Sequence, residues 1–150
     1  APCSGLDKTY QSTCYFWQTQ WWAAAGAVHY LTEVNSVDEV YAYSGKLCSK
    51  LAGESQRRCF EGIGYSSVSS ADSNPLRMKQ LCLISAGDNQ NRLYCRAFAA
   101  NMLTNIPGSQ DDASKLCEGL TGEGYGYCMD YVKNKGNFFT TLPAPGSENI

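Results

Sequence analysis

The placement of eight cysteines along 150 residues narrows the fold of this chain more than any other feature. They fall into neighbouring pairs, Cys3 with Cys14, Cys48 with Cys59, Cys82 with Cys95 and Cys117 with Cys128, and the leading cysteines of the last three pairs recur at a near-constant interval (48 to 82, then 82 to 117). An interval of that size matches a two-helix repeat unit, and a search for internal repeats comes before any other reading of the chain. The even number and the high density of cysteine point to a fully paired framework formed in an oxidising compartment. Eight cysteines admit 105 connectivities, and adjacency is the expected one because each pair brackets its own polar or glycine-bearing break. In the chain-entropy picture each such closure stabilises the fold by roughly 3 kcal/mol.

Residues 36 to 67 carry the pattern most clearly. A helix ends at Lys46-Leu47-Cys48, a break follows at Ala52-Gly53-Glu54-Ser55, and a second helix opens at Arg57-Arg58-Cys59-Phe60. Gln80-Leu81-Cys82 and Lys115-Leu116-Cys117 repeat the first helix end. Ser36 with Glu39 has capping-box spacing, Asn74-Pro75 places proline at a first helical position, and Ser109 precedes Asp111 and Asp112 as a third start signal. Gly62 and Gly64 remove side chains where neighbouring helices come close, and Ser66 to Asn74 reads as a loop. No period-two alternation of β-branched residues competes. The expectation is an all-α fold of about seven helices, arranged as tandem antiparallel hairpins each stapled by a local disulfide. One disulfide-rich domain would cover residues 1–139, and residues 140–150 would form an extended or disordered tail.

The first helix, read over residues 8–34, is unusual because no Asp, Glu, Lys or Arg occurs from Thr9 to Thr32. Tyr10, Cys14, Trp17, Trp21, Ala24, Val28 and Leu31 form an apolar stripe at steps of four and three, which assigns Trp17 and Trp21 to a core seam. Tyr15, Trp22 and His29 form a second stripe at seven-residue steps, and these three are the candidate partner-binding residues. A membrane span is disfavoured because Gln11, Ser12, Thr13, Gln18, Thr19 and Gln20 interrupt a run that needs about 20 mainly apolar residues. A membrane-associated complex stays open.

Composition removes several function classes. A formal charge of −2 without a Lys/Arg run gives no electrostatic footprint for nucleic acid. Zinc-type Cys spacing and a Cys-x-x-Cys-His haem motif are both missing, so no cofactor or metal is expected. His29 is the one histidine, no serine elbow accompanies it, and no catalytic residue is assigned. Glu33 with Asp38 or Glu39 is the nearest carboxylate pair for a small secreted hydrolase, although capping already explains Asp38 and Glu39.

Leu47-Cys48 through Cys59-Phe60-Glu61-Gly62-Ile63-Gly64, with its two later copies, resembles disulfide-bridged α-hairpin repeats of the Sel1-like and tetratricopeptide-like kind, over about residues 36–134. That resemblance implies a curved stack of hairpins serving as a protein-binding scaffold, with no catalytic residues. Together with a start at Ala1 that fits a processed, exported product, the expectation is a non-catalytic structural or interaction subunit of an extracytoplasmic assembly, in the periplasm, at the cell surface or secreted. The alternatives are a carbohydrate- or small-ligand-binding module using Tyr15 and Trp22, and the small hydrolase.

Overall fold

The computed structural model describes residues 2–23 and 36–133. The described residues form six α-helices and two 3₁₀ segments, with no strand among them. In chain order these are η1 (Pro2–Gly5), α1 (Lys8–Ala23), α2 (Val37–Ser49), α3 (Gly53–Ser70), α4 (Pro75–Ser85), α5 (Asn89–Leu103), η2 (Gln110–Cys117) and α6 (Gly122–Lys133). The tail at 140–150, His29 and Glu33 lie outside the described residues, as does the side chain of Trp22.

Helix starts follow the local chemistry. Ser36 Oγ accepts from the Glu39 amide at 3.2 Å, Asn74 Oδ1 from Arg77 at 3.1 Å, and Asp88 Oδ1 from Asn91 at 2.8 Å, each satisfying an amide that the first helical turn leaves without a partner. Asp7 does the same for α1, accepting from the Thr9 amide at 2.9 Å. That hydrogen bond also holds the Asp7 carboxyl below its ordinary pKa.

Two stretches differ from the sequence expectation. The serine-rich run predicted as a loop from Ser66 is helical to Ser70. Ser66 Oγ and Ser67 Oγ donate back to the Gly62 and Gly64 carbonyls at 3.1 and 2.6 Å, so both hydroxyls are satisfied inside a buried turn of helix. Residues 110–117 form a 3₁₀ segment rather than an α-helix, and Ser109 makes no side-chain cap. The segment lies between Gly108 and Gly119, both at positive φ (84° and 88°), where the helical backbone is interrupted.

All four disulfides join the expected neighbours, with Cα–Cα distances of 5.6, 5.5, 5.6 and 5.7 Å from the first pair to the last, inside the usual range. Each closes a break between consecutive elements. The helix after each break begins six residues before its cysteine: Lys8 before Cys14, Gly53 before Cys59, Asn89 before Cys95 and Gly122 before Cys128. These four helices pack in sequence, α1 on α3, α3 on α5 and α5 on α6, while α2 packs on α4 and α4 on η2.

Helix α3 sits between α1 and α5 at distances that require glycine. A Cβ at Gly62 would lie 2.3 Å from the Phe16 carbonyl oxygen and from Thr19 Oγ1, and a Cβ at Gly64 would lie 2.2 Å from the Cys95 carbonyl oxygen. Around this contact Phe16, Phe60, Ile63, Met78, Leu81, Phe98, Leu103 and Leu116 are fully buried. Such packing predicts that Gly64→Ala lowers the free energy of unfolding by about 1–3 kcal/mol or more through overpacking. Gly126→Ala, where nothing lies within 4 Å, should be neutral or stabilising by about 0.5–1 kcal/mol. Urea denaturation of the two variants checks this; equal effects would contradict the close approach at Gly64.

Candidate functional site

The open aromatic face of α1 is the best candidate, and it lies on the opposite side of the helix from the one the apolar stripe suggested. Tyr15, assigned to partner binding, is only 7% exposed, and Phe16 and Thr19 beside it are buried against α3. Trp17 and Trp21, assigned to the core seam, are 41% and 57% exposed, and Tyr10 is 66% exposed. Thr19 explains the reversal. Its hydroxyl donates to the Phe16 carbonyl at 2.8 Å, so a polar residue enters the core satisfied, and the glycine opposite it leaves no space for an indole. Gln20 then fixes the rotation of the helix by donating from Nε2 to the Gly62 carbonyl at 2.9 Å.

The exposed face has an anchored base. The Cys3–Cys14 bridge holds η1 against α1, and the Gln11 amide donates to the Leu6 carbonyl at 2.9 Å, closing the turn between them. Trp17 packs edge-on against Phe16 and Tyr65, with ring centroids 5.0 and 5.6 Å away. Cys3, Cys14, Trp17, Gln18 and Trp21 line an open hollow of about 440 Å³. Its walls are disulfide, indole and one amide, and no titratable group lines it. Such a surface binds by apolar contact and aromatic packing rather than by acid–base chemistry.

Of the carboxylates weighed for hydrolysis, Asp38 pairs with Arg77, the Glu39 backbone amide is the one capped by Ser36, and Glu33 lies outside the described residues. Among the described residues no group of three His, Cys, Asp or Glu side chains is placed to hold a metal ion. No described helix is long and apolar enough to cross a membrane.

A buried polar cluster was not anticipated. Glu61 is 0% exposed and receives hydrogen bonds from Arg58 Nη1 at 3.1 Å and from the Tyr131 hydroxyl, also at 3.1 Å, while Arg57 Nη1 lies 4.0 Å away. The Tyr127 hydroxyl sits 3.1 Å from that of Tyr131, and the Arg58 guanidinium lies 4.8 Å from the Phe16 ring centroid. Burial pushes the Glu61 carboxyl up against the opposing pull of Arg58 and Arg57. Burial also disfavours the Arg57 charge, but Glu54 and Glu61 more than offset it and the guanidinium pKa rises. The signal in the sequence was Arg57-Arg58 with Glu61 at helical spacing. Enclosed as it is, the cluster ties α3 to α6 and offers no access to a substrate.

One further groove, of about 340 Å³, is lined by Leu76, Lys79, Gln80, Leu83, Arg92 and Arg96. Its guanidiniums already hold the ends of α4 and η2: Arg92 Nε donates to the Ala86 carbonyl at 3.0 Å, and Arg96 donates to the Leu116 and Glu118 carbonyls at 2.7 and 2.6 Å. Comparison with protein-family models, with curated proteins and with solved structures found no match.

Buried tyrosines give the fold a definite alkaline limit. Burial raises Tyr127 and Tyr131, and raises Tyr41 to about 12 although its hydrogen bond to Ser70 and the charge of Arg77 pull the other way. Below pH 10 Tyr41 is protonated folded and unfolded, and its contribution to stability is complete. Between about 10 and 12 the unfolded chain loses the proton that the folded chain keeps, so stability falls as pH rises. Tyr41→Phe should make that fall shallower by up to about 1.4 kcal/mol per pH unit, as read from urea unfolding at a series of pH values in this window. Parallel slopes for wild type and variant would contradict the assignment.

Proposed function

We propose that the chain is a non-catalytic interaction subunit of an extracytoplasmic protein assembly and that the outward face of α1 is its contact with a partner. The observation that carries this reading is the exposure of Tyr10, Trp17 and Trp21 on a helix without charge from Thr9 to Ala23, around a hollow with no titratable lining. Aromatic anchors in desolvated surroundings are the residues that dominate protein interfaces. Four local disulfides support a location outside the cytoplasm.

The scaffold behind this face is four tandem units of α-hairpin type, η1 with α1, α2 with α3, α4 with α5, and η2 with α6. The common six-residue offset between helix start and bridging cysteine supports that unit, as does the sequential packing of the second helices.

A carbohydrate-binding reading takes the same two tryptophans as a stacking platform. It is weaker because the hollow offers one side-chain amide, Gln18, where a sugar presents several hydroxyls to be satisfied. A hydrolase is weaker still, with Asp38 ion-paired.

Trp21→Ser separates the readings. Trp21 is 57% exposed and outside the buried core, so the variant should keep the fold, as read from an unchanged circular dichroism spectrum. The variant, expressed in the native host, should lose co-purification with the larger particle. Retained assembly together with lost sugar binding would overturn the subunit reading in favour of the carbohydrate one.

A further inference from the structure

Accepting α1 as the contact face, the register of the four bridged helices says what kind of surface it is. When the helices are aligned on their cysteines, Trp17 takes the place of Gly62 and Phe98, and Trp21 that of Ser66 and Met102. In α3 this stripe is the side that meets the preceding helix: the Gly62 position closes on Phe16 and Thr19, and Gln20 donates to the Gly62 carbonyl. In α5 the same side meets α3, with the Cys95 carbonyl against the Gly64 position. Ser66 is buried and Met102 half-buried, whereas Trp21 at the equivalent place is exposed. The α1 face is therefore the helix-packing side of a unit with no preceding helix among the described residues.

The opposite end of the row is built differently. The sides of α1 and α3 that face the following helix carry Thr19 and Gly64, and the matching position in α6 is Lys133. Lys133 shares its side of α6 with Glu123, Gly126 and Asp130, all exposed, as a polar solvent face. Stacking copies head to tail would bury the Glu123 and Asp130 carboxylates against tryptophan, and α1 carries no cation between Thr9 and Ala23 to offset their charge. The α1 face suits itself better. It has no like charges to confront across a two-fold axis, and it carries both a projecting ring, Tyr10, and a hollow of about 440 Å³. A two-fold interface requires such projections and hollows on one surface.

We infer that the outward face of α1 pairs with the same face of a second copy of this chain, forming a two-fold dimer through Tyr10, Trp17 and Trp21.

Sedimentation equilibrium of the oxidised full chain, from micromolar to sub-millimolar concentration, tests this. The expected result is a concentration-dependent dimer that Trp21→Ser and Tyr10→Lys each weaken by about tenfold or more, with circular dichroism unchanged, and that Lys133→Glu leaves intact. Four results would overturn it: a wild type that stays monomeric, a dimer indifferent to both α1 variants, a dimer broken by Lys133→Glu, or a monomer whose tryptophan emission shifts when residues 134–150 are removed. A monomeric wild type rejects the self-pairing alone. The subunit reading falls only if Trp21→Ser also leaves co-purification unchanged.

Discussion

Every break between consecutive elements that carries cysteines at its two edges is closed by a bond between them, and the rest of the molecule is arranged around those closures. A bridge across a break holds two short elements together and removes loop-closure entropy from the unfolded chain. That matters here because the second element of each unit buries its sides against neighbours in the row rather than against its own partner alone. With unit geometry fixed locally, α3 can lie close enough to α1 and α5 that glycine is required at Gly62 and Gly64. Backbone-to-backbone approach of this kind limits both helices to one rotation, and that rotation decides which side of α1 faces outward.

The polar interior follows from the same closeness. Glycine at 62 and 64 brings main chain rather than side chain to the two contact sides of α3, and Arg57, Arg58 and Glu61 occupy the turn just before them. Glu61 meets Tyr131 from α6, so charge and hydroxyl groups link α3 to α6 across the core. Removing Glu61 would take from the buried Arg58 guanidinium its carboxylate acceptor, a larger loss than the net contribution of the intact network. The cluster thus fixes α3 against α6 in one register.

Much of this was legible in the residues. Cysteine adjacency, the cap at Ser36, the start at Asn74-Pro75 and the role of Gly62 and Gly64 depend on local spacing, which one chain displays in full. The orientation of α1 was not legible, because counting apolar residues assigned Trp17 and Trp21 inward when Thr19, satisfied by its own helix, took the interior place. Tyr15 changed sides for the same reason. The helical serines at 66 and 67 were hidden because their hydroxyls bond within the turn, which composition does not reveal. Segment 110–117 read as an α-helix because its acids and apolar spacing fit one, and that spacing does not separate α from 3₁₀ winding in so short a stretch. Arg57, Arg58 and Glu61 stood at ion-pair spacing, yet only the burial of all three distinguishes a core cluster from a solvated surface row.

Peptide mapping of the purified chain, digested without reductant and with free thiols blocked, bears most directly on local closure as the organising constraint. The account predicts no blocked thiol and four linked peptide pairs, Cys3 to Cys14, Cys48 to Cys59, Cys82 to Cys95 and Cys117 to Cys128. A linked pair that joins different units, such as Cys59 with Cys82, would contradict it.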